Sequence, residues 1–263
     1  WWWLAYLGLG LFVGFFAGLL GIGGGLMIVT GLVFMFGAQH FPADRIVHLA
    51  YGTSLTSIVF TSLSSVRAHH KHDAILWPLI ARSVPGVVVG TLLGTLFADH
   101  LPSRYLAMFF TAFVFYSALQ MWLDLRPHSA RQLPGNAGIT GAAMFIGALS
   151  SLVGAGGGVI SIPLMLACNV HMRNAIATSA ALGLPIAIAG AVGYLLTGLD
   201  KDHLPPLTIG YVYLPALIGL VVGTFVTVPA GARAAHRMEV KRLKRIFSVI
   251  LFIMATKMLL TLL

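Results

Sequence analysis

The chain has 263 residues, of which 58% are hydrophobic and only 9% charged. A soluble domain carries roughly 25% charged residues, so this chain cannot cover its own surface with polar groups in water. Its net charge of +9 would point to nucleic acid in a soluble protein. Here the basic residues stand between apolar runs and report topology instead, so no nucleic-acid partner is expected.

Residues 1–39 contain no Asp, Glu, Lys or Arg and form a run longer than the roughly 20 residues a membrane span needs. No basic segment precedes the run, so it reads as a membrane element rather than a cleavable signal. It is broken by Gly21-Ile22-Gly23-Gly24-Gly25, and glycine clusters weaken a helix and permit tight turns. The expected element is a helical hairpin: a longer helix in, a break, a short helix back. Spans are predicted at about 47–66, 74–98 and 104–123. Residues 135–170 repeat the first pattern, with Gly154-Ala155-Gly156-Gly157-Gly158 as the break. Spans at about 174–197, 207–231 and 245–263 follow. The single cysteine, Cys168, excludes an internal disulfide and reads as a small buried hydrophobe.

The chain therefore repeats itself, as residues 1–125 and 136–263. Gly23–Gly25 recur as Gly156–Gly158, and Thr53-Ser54 as Thr178-Ser179. Gly90 and Gly94 are matched to Gly219 and Gly223, with Pro85 and Pro215 before them. Leu106, Phe110 and Met121 match Leu243, Phe247 and Met258. Each half is expected to hold one glycine-broken hairpin and three transmembrane helices, an all-α polytopic membrane protein. If each hairpin returns to its own side, the halves are inverted. If each broken segment crosses once, they are parallel. In the inverted arrangement one face carries Arg67, Lys71, Arg126, Arg131, Arg173, Arg233, Arg237, Lys241, Arg242, Lys244 and Arg245, and the other only Arg45, Arg104 and Lys201. The parallel arrangement divides them more evenly, so the positive-inside rule favours inversion, with the richer face in the cytoplasm.

Inverted repeats with broken helices put half-helix N-termini near the bilayer midplane, where unpaired N–H groups and the helix dipole attract anions. The alternative for the glycines is close helix packing. Thr53, Ser57, Thr61 and Ser64 fall on one helical face, widened by Ser54 and Ser65. That face suits either a ligand or hydrogen bonding between helices. Its second-half counterpart turns small and apolar at Gly183, Ala187, Gly190 and Gly193, which reads as close packing. Arg82 is the only charged residue between Asp73 and Asp99. It is placed near the midplane, where a guanidinium would hold an anion; the competing reading is snorkelling to the interface. All seven acidic residues fall in predicted loops or at span ends, leaving no membrane carboxylate to hold a cation. His69-His70-Lys71-His72-Asp73 has no second cluster to complete a metal shell. No hydrolase or metalloprotease motif occurs. Neither an enzyme nor a bound metal or cofactor is expected.

The candidate substrate-binding residues are Gly21, Gly23, Gly24, Gly25, Thr53, Ser54, Ser57, Arg82, Gly154, Gly156, Gly157, Gly158, Thr178 and Ser179.

Gly18-Leu19-Leu20-Gly21-Ile22-Gly23-Gly24-Gly25 and Ser151-Leu152-Val153-Gly154-Ala155-Gly156-Gly157-Gly158, the latter running on to Pro163, resemble motifs of the TauE/SafE sulfite-exporter family. Gly52-Thr53-Ser54-Leu55, Ala177-Thr178-Ser179 and Pro85-Gly86 with Gly90 and Gly94 extend the resemblance over nearly the whole chain. Thr30, Gly52 and His48 depart from the family pattern of proline, alanine and a basic residue. The resemblance implies a multi-pass permease of the bacterial cytoplasmic membrane that exports sulfite, an organosulfonate or another small anion. The alternatives are a carrier of another anion, such as a carboxylate, and a membrane-embedded anion sensor. The expected partners are the small anion and the lipid bilayer, with a homodimer left open.

Overall fold

The structure, a computed structural model, describes residues 1–20, 24–70, 73–123, 134–202, 204–235 and 240–262. Five helices in the first half are answered by five in the second. They are α1 (Trp2–Leu20), α2 (Gly25–Ala38), α3 (Ile46–His70), α4 (Trp77–Asp99) and α5 (Ser103–Trp122), then α6 (Asn136–Val153), α7 (Gly158–Ala167), α8 (Met172–Gly198), α9 (Leu214–Ala235) and α10 (Val240–Leu262). A two-stranded hairpin, β1 (Thr208–Ile209) and β2 (Val212–Tyr213), separates α8 from α9.

The architecture is that of an all-α polytopic membrane protein. Among the described residues six helices are long and apolar enough to cross a membrane: Ile46–Arg67, Trp77–Asp99, Ser103–Trp122, Asn136–Val153, Met172–Gly198 and Leu214–Gly231. Two expectations shift. The first limb of the second hairpin, α6, is among the six, whereas the expected span 245–263 is not, its residues up to Leu262 forming part of α10. The expected span 207–231 begins with the β hairpin, and its helix starts only at Leu214. Pro205 and Pro206 withhold the N–H donors that a helix would need there. Gly210, at φ 55, supplies the positive φ of a two-residue turn.

At each glycine break the short helix starts beside the leading one. A methyl placed on Gly31 of α2 would stand 2.6 Å from the Leu9 side chain of α1, and one on Gly24 would meet Val13 at 2.6 Å. In the second half Gly157 lies against Ser150 and Ile146 of α6. The short helices have 14 and 10 residues. At 1.5 Å per residue these reach about 21 and 15 Å, well short of the roughly 30 Å hydrocarbon core.

Packing interleaves the halves. α1 lies on α9, and α6 on α4; α5 packs on α10, and α3 on α8. The α3–α8 contact runs in opposite senses: Gly52 meets Tyr194, Leu55 meets Gly190 and Ser62 meets Gly183. The α4 and α9 contacts correct the repeat register. Gly86 and Gly90 sit against Thr140 and Met144, just as Gly219 and Gly223 sit against Leu7 and Leu11. The equivalents of Gly219 and Gly223 are thus Gly86 and Gly90, one helical turn before Gly90 and Gly94. Three glycines at four-residue spacing in α4 admit two alignments, and only the partner helix selects one. At each contact the missing side chain lets backbones approach closely, the packing that drives helix association in lipid. Hydrogen bonds follow the same exchange: Tyr213 N donates to Thr53 Oγ1 and Leu76 N to Thr178 Oγ1, both at 3.0 Å.

Candidate functional site

Both short helices begin alike. Gly24, at φ 67 and ψ 1, is the N-cap of α2, and Gly157, at φ 76 and ψ −9, is the N-cap of α7. A left-handed N-cap is comfortable only for glycine. Neither cap residue supplies a side-chain hydrogen bond. The first N–H groups of each helix have no partner within the helix, and its dipole places about half a positive charge there.

These two N-termini meet. A Cβ on Gly25 would stand 2.9 Å from Ala155 Cα and 3.1 Å from the Gly154 carbonyl oxygen. Around the junction lies a pocket lined by Gly24, Gly25 and Leu26 from the first break, and by Ala155, Gly156, Gly157, Gly158, Val159 and Ile160 from the second. Ser150 and Val153 of α6, Phe113 of α5 and Phe247 of α10 close its walls. Its envelope is about 370 Å³, but only about 10 Å³ can hold a water centre, room for about one water molecule. Ile58, at the midpoint of α3, reaches both Gly25 and Gly156, while Gly183 of α8 faces the Gly156 carbonyl. The junction therefore lies halfway along both central helices. Among the described residues no lysine or arginine lines it.

The candidate residues divide. Gly24, Gly25, Gly156, Gly157 and Gly158 line the pocket; Gly21 and Gly23 lie outside the described residues. Gly154, at φ 62, closes α6 against the ring of Tyr51. The hydroxyls hold the framework. Ser54 Oγ donates to the Gly154 carbonyl at 2.9 Å, and Ser179 Oγ pairs with Ser161 Oγ of α7 at 2.6 Å. Thr53 and Thr178 receive the backbone bonds given above. Each of these four hydroxyls finds a partner on another element, as burial demands, and none of the four lines the pocket. Ser57 Oγ is buried without a hydrogen-bond partner among the described residues. Towards the end of the hydroxyl face, Ser64 is exposed.

Arg82 is not brought to the pocket. α4 starts at Trp77, so Arg82 lies in its second turn, with its side chain exposed and its carbonyl accepting from Thr140. The midplane placement expected for it rested on a helix beginning nearer Asp73. Asp44, Asp73, Asp99, Asp200 and Asp202 all lie at helix ends or between helices; Asp124 and Glu239 fall outside the described residues. The His69–Asp73 cluster is described only in part, and no group of potential metal ligands occurs among the described residues.

Sequence reasoning missed the aromatic walls and the tyrosines behind them. In the sequence Phe247 is only a repeat position, and Tyr51 stands one residue before the Gly52-Thr53-Ser54 motif without a signal of its own.

A family model described as Sulfite exporter TauE/SafE matches residues 6–258. A probable membrane transporter protein of Haemophilus influenzae is 32% identical over 251 residues, covering 95% of each chain. Another, from Methanocaldococcus jannaschii, is 27% identical, over 95% of this chain and 93% of its own. The probable membrane transporter protein YdhB of Bacillus subtilis is 28% identical, over 86% and 87%. No solved structure matches the chain.

Proposed function

Because the chain belongs to the sulfite exporter TauE/SafE family, a family of multi-pass membrane transporters, we propose that it is a secondary transporter that exports sulfite or a small organosulfonate from the cytoplasm. The reading has the halves inverted in the membrane and the pocket at the glycine junction as the substrate site, exposed to each side in turn. The single observation that carries it is the meeting of two uncapped helix N-termini, from breaks more than a hundred residues apart, halfway along the central helices. The opposed senses of α3 and α8 support the inversion, as does the uneven division of basic residues.

The charge of the substrate follows from the same geometry. Two helix N-termini together present about one positive charge, part of which the C-terminus of α6 at the same junction offsets, and among the described residues no cationic side chain lines the pocket. At most one negative charge is balanced; a second would stay uncompensated in a low-dielectric site. The preferred species is a monoanion, such as bisulfite or a sulfonate, rather than a dianion such as sulfate. Phe113 and Phe247 offer an apolar wall to the rest of the molecule. Room for about one water means the pocket must widen to admit substrate, the state expected between two open forms.

The test is efflux of labelled sulfite from proteoliposomes containing the full chain, with and without Gly156→Ala. At Gly156 an added methyl meets only Ile58, at 3.4 Å, and Gly183, at 3.9 Å, so the variant folds while its methyl takes the scarce space of the pocket. Efflux in the parent and its loss in the folded variant is the expected result. Sulfite binding without flux under any gradient would replace the transporter by an anion sensor, and flux of a carboxylate in preference to sulfite would replace the substrate.

A further inference from the structure

At the end of the molecule where α3 begins, four side chains join the halves. Lys201 Nζ lies 2.8 Å from Asp99 Oδ2. Tyr211 donates its hydroxyl to Asp99 Oδ1 at 3.0 Å and accepts from Arg45 Nη1 at 2.9 Å. Arg45 and Asp99 belong to the first half, Lys201 and Tyr211 to the second, so every one of these bonds crosses between halves. Burial, then the Asp99 carboxylate, raises the Tyr211 phenol well above its ordinary range, so it remains a donor at any working pH.

Tyr211 also begins a buried column. Its ring stands edge-on to Tyr194 at 6.4 Å, and Tyr194 stands edge-on to Tyr51 at 6.0 Å. All three are fully buried. The inner end of the column touches the second glycine break: Tyr194 donates to the Ser151 carbonyl at 2.9 Å, and the Tyr51 ring packs against Gly154. Tyr51 is about 10 Å along α3 from Ile58 at the pocket. One continuous set of contacts therefore runs from a surface ion cluster to the last turn of α6 beside the pocket. Nothing in the site already described needs this set.

Resting on the transporter reading, we propose that the Tyr51–Tyr194–Tyr211 column is the closed gate between the glycine pocket and this face, and that Arg45, Asp99 and Lys201 latch it by tying the halves together. Opening to this face requires the Asp99–Lys201 pair and the two Tyr211 bonds to part. The tilt that separates the halves then draws Tyr211 out of the column.

The gate is tested by access rather than by activity. In the full chain with Cys168→Ser, Ala155→Cys places a thiol in the pocket lining. Its modification by a membrane-impermeant maleimide is followed from the Arg45 face in sealed vesicles. Tyr211→Phe, which keeps the ring and removes both bonds, and Lys201→Gln are each expected to raise the rate by about tenfold, within the usual range of a coupling between two states. The exchange of charges in Asp99→Lys with Lys201→Asp is expected to return it towards the parent rate. Unchanged rates in both Tyr211→Phe and Lys201→Gln, with both eluting as folded protein, overturn the gate. Sulfite efflux in vesicles of the same composition keeps the two readings apart. Efflux with unchanged labelling sinks the gate alone, whereas raised labelling without efflux in the parent sinks transport and leaves the gate standing.

Discussion

Glycine has two uses at single positions beside the pocket, and each predicts a different result. At Gly156 there is space and no left-handed backbone, so alanine is expected to cost under about 1 kcal/mol of stability while abolishing flux. At Gly154 the backbone stands at φ 62, and a Cβ would lie 2.8 Å from Tyr51 Cδ1. Gly154→Ala is therefore expected to destabilise by about 2–3 kcal/mol, combining left-handed strain with overpacking, seen as a lowered melting temperature in detergent. Similar melting of the two variants would overturn this distinction. Arg82 makes the opposite case. Its exposed place in the second turn of α4, away from the pocket lining, fits a side chain that reaches for the interface. Arg82→Gln is expected to leave sulfite efflux within about twofold of the parent. A complete loss of efflux in folded protein would return the guanidinium to the substrate path.

At the scale of the element, two parallel helix pairs, α1 with α9 and α6 with α4, hold the halves together through glycine contacts in matched register. A methyl on Gly90 would collide with the Met144 carbonyl oxygen, and one on Gly223 would stand 2.6 Å from Leu11 N. Backbone cannot yield as the end of a flexible side chain can. Each alanine variant is expected to cost about 1–3 kcal/mol, whereas Gly8→Ala, with nothing within 4 Å, should be near neutral. Thermal unfolding of the three variants side by side decides it. The corrected register adds a sharper expectation. Gly90 and Gly223 occupy equivalent positions and should respond alike, while Gly94, which faces Ser151 and Ala148, need not follow Gly219.

For the whole molecule, the order of the spans makes a topological prediction. Arg104, at the start of α5, lies at the same end as Arg45, and Arg67 lies at the opposite end of α3. A thiol introduced by Arg104→Cys should react only from outside the cell, and one introduced by Arg67→Cys only from the cytoplasm. Reaction of both from one side would contradict the inverted arrangement. The opposed α3 and α8 share the molecule's centre, each with its midpoint against a glycine break. A rocking of one half over the other would therefore change access to the pocket without taking it apart.

Much of this was written along the chain. Hydropathy and the scarcity of charge were enough for an all-α polytopic membrane protein, because lipid leaves backbone polar groups no partner except those within a helix. The two glycine clusters marked the pocket, since only glycine accepts the left-handed caps that leave two helix N-termini bare. Side-chain roles were a different matter. Thr53, Ser54, Thr178 and Ser179 carry hydroxyls that serve a ligand or a neighbouring helix equally well, and their partners lie up to 160 residues away. Where Arg82 stands along its helix depends on where that helix starts, and with Leu76 held by Thr178 the start is Trp77 rather than a residue nearer Asp73. The walls of Phe113 and Phe247 and the column of Tyr51, Tyr194 and Tyr211 come from helices distant in sequence. Local pattern fixes which segments enter the bilayer and where they break. Which faces meet there is decided only when every helix has found its neighbours, because that choice rests on contacts that no single segment contains.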